Sequence, residues 1–107
     1  MGFIIPSEYK QNNFNYKNRE LKQEPIACDC WFTSTGKIMP RLFKFEDDYG
    51  VFHTVSNIHV NQYGLQWLAG IKVYVFSCSA LNDTTGCEHH FTLYFHVEEC
   101  KWKVSWN

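Results

Sequence analysis

No run of 18 apolar residues occurs in this chain, and no charged-then-apolar leader ending in a small-residue cleavage site stands at its start, so neither a membrane-spanning helix nor a secretion signal is expected. Pro6 occupies the position where a myristoylation signal carries Ser or Thr, which argues against that anchor. A surplus of charge is missing too. The formal charge is −1 and the pI is about 6.5, so there is no global electrostatic pull toward nucleic acid or an anionic membrane. Arginine is scarce, two against eight lysines, which leaves little for bidentate recognition of phosphate or guanine. The six glycines are scattered singly, and nothing resembles a phosphate-cradling loop, a nucleophile turn or an oxyanion loop. The expected compartment is the cytoplasm, and an enzyme is not expected.

Aromatic residues are what the sequence has in excess. Four Trp, six Tyr and nine Phe in 107 residues exceed the needs of the one core that a chain of this length builds, so some are expected at a surface, where clustered aromatics favour interfaces. Five cysteines, an odd number, read as reduced thiols when no export signal is present. Asn82-Asp83-Thr84 matches a glycosylation sequon and is taken as a turn.

The longest two-residue alternation runs from Cys87 to Trp106. Phe91, Leu93, Phe95 and Val97 share one parity and Thr92, Tyr94, His96 and Glu98 the other, the pattern of a strand with one dry face. Trp102, Val104 and Trp106 alternate with Lys101, Lys103 and Ser105, which predicts a second strand after a tight connection at Glu99 and Cys100. Upstream, Ile26, Cys28, Cys30 and Phe32 share a strand face, Ser34 to Lys37 signals a turn, and Ile38 to Glu46 returns as a strand interrupted by Pro40. A third strand is expected from Val51 to Val60. Residues 61 to 70 suit either a short helix or the first half of a long strand bent at Gly70, and Ile71 to Ala80 is rich in strand formers.

These spacings predict an all-β protein with two segments: an irregular N-terminal arm over residues 1–25, with at most an edge strand at Phe3 to Ile5 and one helical turn at Asn18 to Gln23, then a domain over 26–107. That domain is read as a five- to six-stranded antiparallel small barrel or rolled sheet, SH3-like or OB-like.

Candidate chemistry is sparse. Cys28 and Cys30 with Cys87, His89 and His90 offer zinc ligands, but one intervening residue on a strand is not the usual zinc spacing, so core thiols are the simpler reading and no metal or cofactor is assigned. Cys78 and Cys87 would face each other across a hairpin if its loop were Asn82-Asp83 alone. The histidines permit Cys-His pairs without specifying one. Glu46, Asp47 and Asp48 read as solvated turn charges. An aromatic and basic platform of Trp31, Arg41, Tyr94, His96, Lys101 and Lys103 is the candidate binding surface, since small barrels bind single strands by stacking bases on aromatics beside cations.

Taken together, Cys30-Trp31-Phe32-Thr33-Ser34, Pro40-Arg41-Leu42-Phe43-Lys44-Phe45 with Asp47, Asn57-Ile58-His59-Val60, Ala69-Gly70-Ile71 and Cys100-Lys101-Trp102 resemble a family of small uncharacterised proteins encoded on conjugative mobile elements of Gram-positive bacteria. The resemblance covers about residues 26–106 and implies a context rather than an activity. The reading is therefore a non-catalytic binding module that recruits a protein partner or itself, with single-stranded nucleic-acid binding and a Cys/His zinc module as alternatives, and with no membrane partner.

Overall fold

Alternating apolar residues between short turn signals give seven strands: β1 Glu24–Phe32, β2 Ile38–Glu46, β3 Phe52–Val55, β4 His59–Leu68, β5 Ile71–Leu81, β6 Glu88–His96 and β7 Lys101–Trp106. The structure is a computed structural model and describes residues 22–82 and 85–107. The strands form one antiparallel sheet in the order β3-β2-β1-β7-β6-β5-β4. Among the described residues there is no helix, and so none long and apolar enough to cross a membrane.

Each hairpin follows from local chemistry. The β1–β2 and β2–β3 turns share one design, in which the Thr33 amide donates to the Lys37 carbonyl and the Asp47 amide to that of Val51. Gly36 and Gly50 supply the left-handed residue in each. β4 and β5 are joined by Ala69-Gly70, both at positive φ (53° and 82°), as a two-residue hairpin of right-twisted strands requires. Alanine is strained there and asparagine is not. Ala69→Asn is expected to stabilise the fold by about 0.5–1 kcal/mol, read as a raised urea midpoint with unchanged slope.

The three-residue link Ser56 to Ile58 sets the sheet's shape. It joins β3 to β4, the two opposite edges, and four Cα steps reach at most about 14 Å, so the sheet must roll until its edges approach. The Phe43 ring on β2 accordingly meets the Phe91 ring on β6 at 5.3 Å, although three strand spacings would hold these strands about 14 Å apart in a flat sheet. The ladder does not run from β3 to β4, so the roll stays open and is not a closed barrel.

Two extra residues help the bend. Pairing shifts from Asp29↔Leu42 to Cys30↔Pro40, leaving Arg41 as a bulge, and from Val60↔Cys78 to Gln62↔Ser77, leaving Asn61 as another. The first bulge directly follows Pro40, which has no amide to give to a ladder.

Phe43, Phe76, Cys78, Ala80, Phe91, Leu93, Phe95, Trp102 and Val104 form the core inside the roll, and each large apolar side chain fully withdrawn from water there contributes about 1.5–3 kcal/mol. A second cluster, Val73, Val75 and Tyr94, is buried on the opposite face, beside buried Ser77, Ser79, Thr92 and Ser105. Both faces of β5 and β6 are therefore dry, rather than the single face expected from alternation.

Several expectations change. The sheet has seven strands, because the stretch read as one strand from Val51 to Val60 breaks at Asn57, which adopts φ 54°. Residues 61 to 70 are mostly strand. β1 begins at Glu24 with Pro25 inside it, two residues ahead of the expected boundary at Ile26. The edge strand at Phe3 to Ile5 and most of the proposed helical turn lie outside the described residues, as do Asp83 and Thr84 of the sequon.

Candidate functional site

The six residues singled out from the sequence fall on one face of the sheet but in two places. Trp31 alternates away from the core-facing Cys28 and Cys30, and the bulge at Arg41 turns its guanidinium onto the same face, 4.2 Å from the centre of the Trp31 ring. Trp31 is 57% exposed, and Met39, its cross-strand partner, is also exposed. Pro40 is thus the local cause of an Arg-on-Trp pair at the surface.

The remaining four sit on β6 and β7. Lys101 pairs with His96, and Lys103 lies between Tyr94 and Pro25, the latter six residues before Trp31 on β1. Six residues of strand span about 20 Å, so Lys103 is well separated from the Trp31–Arg41 pair, with Lys101 two residues nearer along β7. Tyr94 is buried, its hydroxyl 3.1 Å from that of Ser105, and burial raises its pKa. Its ring offers no free surface for stacking. His96 is half-buried, 3.4 Å from the Gln23 side-chain oxygen, and burial and then the Lys103 charge lower its pKa against the pull of Glu99, which favours the neutral ring.

Cys78 is buried, Cys28 and Cys30 are half-buried, and Cys87 and Cys100 are exposed. All five are free. Cys28 is pushed up to about 12 by burial, then by Cys30 and Asp29, while burial raises Cys30 and, most of all, Cys78. Cys78 faces Phe91 in the ladder, which puts exposed Cys87 out of register for a bridge. No group of three or more His, Cys, Asp or Glu suited to holding a metal ion comes together among the described residues.

A cleft of about 380 Å³ opens at the seam of the roll, between Lys37 to Pro40 on one side and Ile58 to Tyr63 on the other. Its lining contains Lys37, His59 and Tyr63, and no cysteine or carboxylate among the described residues.

No family model, curated protein or solved structure matches the chain.

Sequence reasoning missed one polar device and one apolar surface. Asp47 Oδ1 accepts from the amides of Tyr49 (2.8 Å) and Val51 (2.9 Å), while Oδ2 lies 2.7 Å from His53 Nε2 beneath the Phe45 ring. The hydrogen bond from His53, then those from the backbone, hold this carboxyl below the usual aspartate range. A depressed carboxyl contributes stability above its unfolded pKa, near 4, and loses it as pH falls through the lower folded value. The gap in urea midpoint between the wild type and Asp47→Asn is therefore expected to be open at pH 5 to 7 and to close toward pH 2. The second omission is the β4 edge, where Tyr63, Leu65 and Trp67 stand exposed.

Proposed function

We propose that the protein is a small non-catalytic binding module that recruits a protein partner through the Trp31–Arg41 surface, in the mobile-element setting implied by the motif resemblance. The observation that supports it is an exposed tryptophan held under a guanidinium on a rigid strand pair, with apolar Met39 beside it. Tryptophan and arginine are the residue types that most often dominate binding energy at protein interfaces, and a bulge-fixed pair loses little side-chain freedom on docking.

Single-stranded nucleic acid is the rival occupant, since Lys101 and Lys103 share that face. Fluorescence anisotropy of labelled single-stranded oligonucleotides separates the two. The protein-binding reading expects no binding at high protein concentration, together with an identified protein partner whose affinity falls at least tenfold with Trp31→Ser. Salt-sensitive micromolar oligonucleotide binding that is lost with Lys101→Ala and Lys103→Ala would replace it with the nucleic-acid reading. A partner held equally well by Trp31→Ser would remove the assigned surface.

A further inference from the structure

Arg41 is positioned without being satisfied. Its guanidinium lies 4.2 Å from the centre of the Trp31 ring, and among the described residues it forms no ion pair and no side-chain hydrogen bond. The attraction of a cation to a ring face consumes none of its N–H donors, so the five of this exposed side chain remain available to an acceptor. Asp29 lies on the same side of β1, two residues before Trp31, yet it makes no ion pair with Arg41.

An apolar concavity adjoins this cation. Met39, the cross-strand partner of Trp31, also borders the cleft of about 380 Å³ at the seam of the roll. Ile38, Pro40, Ile58 and Val60 give that cleft apolar walls, Lys37 adds a second cation, and no carboxylate lines it among the described residues. The volume is at the small end for a ligand pocket, enough for a large apolar side chain. Met39 and Arg41 are two residues apart on β2, about 7 Å, which is also the spacing of alternate residues in an extended peptide.

On the reading of this surface as a protein-docking site, on which the inference rests, we propose that the partner presents an acidic segment. One carboxylate accepts a bidentate pair of hydrogen bonds from Arg41, and a large apolar residue two positions away crosses Met39 into the seam cleft. The charged fork fixes the orientation of the segment, and the apolar anchor supplies the desolvated contact around which binding energy concentrates.

A carboxylate suits the surface better than a run of phosphates. A nucleic-acid backbone is held by several cations that meet successive phosphates, whereas one fork with Lys37 beside the cleft matches one or two acidic side chains. Lys103 stands about 20 Å away along the sheet, too far to extend the same contact. Asp29 sets the sign of the discrimination: its charge on this face opposes an acidic partner and would favour a basic one.

Fluorescence anisotropy of a labelled random copolymer of glutamate and tyrosine, with labelled poly-L-glutamate and a single-stranded oligonucleotide beside it, tests the assignment on the full chain at about 50 mM salt. The copolymer is expected to bind roughly fivefold or more tightly than poly-L-glutamate, which lacks the apolar anchor, and more tightly than the oligonucleotide. Arg41→Gln and Met39→Glu are each expected to weaken it about tenfold, and Arg41→Lys, which keeps the charge and loses the fork, about fivefold. Asp29→Asn is expected to tighten it about two- to fivefold, a gain that misfolding does not produce, with circular dichroism confirming each variant. No copolymer binding at about 500 µM protein, an affinity unchanged by Arg41→Gln, or tighter binding of the oligonucleotide would overturn the proposal. A protein partner that loses affinity with Trp31→Ser and keeps it with Arg41→Gln would overturn the acidic chemistry and leave the surface standing, whereas a partner indifferent to Trp31→Ser removes the surface itself.

Discussion

Phe43→Ala is expected to destabilise the protein by about 3–5 kcal/mol, a large part of the stability of a domain this size. Phe43 is fully buried and touches three rings: Phe91 edge-on at 5.3 Å, Trp106 at 5.9 Å and Phe45 at 6.1 Å. It is the main bolt between the β2 wall and the β6–β7 wall, which are not hydrogen-bonded to each other. Truncation opens a cavity at the point where rolling is enforced, and the short Ser56 to Ile58 link prevents the walls from spreading to relax it. Thermal or urea unfolding measures the loss. A cost below about 1 kcal/mol would show that the two walls hold together without this contact.

A second large effect is expected in thiol chemistry. The thiolate is the reactive form, so a thiol with a pKa of about 12, as for Cys28, is ionised roughly a thousandfold less at pH 8 than an ordinary one near 8.5. Cys78 is still more strongly raised and lies in the core. With an aromatic disulfide reagent, exposed Cys87 and Cys100 are expected to react promptly, Cys30 more slowly, and Cys28 and Cys78 about three orders of magnitude more slowly, until denaturant exposes them. Peptide mapping of the labelled protein assigns each rate. Prompt labelling of Cys28 or Cys78 in the native protein would contradict their placement, and would reopen a role for them as ligands or nucleophiles.

The β6–β7 hairpin was legible because its apolar residues follow the period of a strand without interruption: Phe91, Leu93, Phe95, Trp102 and Val104 are all core residues. Trp106 is the partial exception, 37% exposed yet packed against Phe43, Phe45 and Phe91. Gly36 and Gly50 mark their turns for the same local reason, a backbone angle that costs glycine little, whereas Gly70, read as a bend within one long strand, turns β4 back on β5 as a hairpin. What stayed hidden depends on contacts distant in sequence. The break at Asn57 needs only one residue in the left-handed region, which asparagine tolerates without announcing it. Alternation places Tyr94 at the surface because Thr92, Tyr94 and His96 look like a solvent face, whereas Val73 and Val75 lie across from Tyr94 and His96 on the neighbouring strand and make that face dry. Arg41 and Trp31 were named together, but the bulge that brings them into contact depends on the pairing of β1 with β2, which no composition reveals.

The pairing of Glu24 with Val104 and Ile26 with Trp102 means that the earliest strand of the sheet is completed by the latest. A ribosome working at about 5–20 residues per second needs roughly 4–16 s to synthesise the 80 residues between Glu24 and Val104. Through that interval β1, β2 and β3 can form their own meander, but the side of β1 that β7 covers lacks that partner. The nascent chain therefore carries a temporary sticky edge, and its yield in a cell depends on how well that edge is sheltered until β7 emerges.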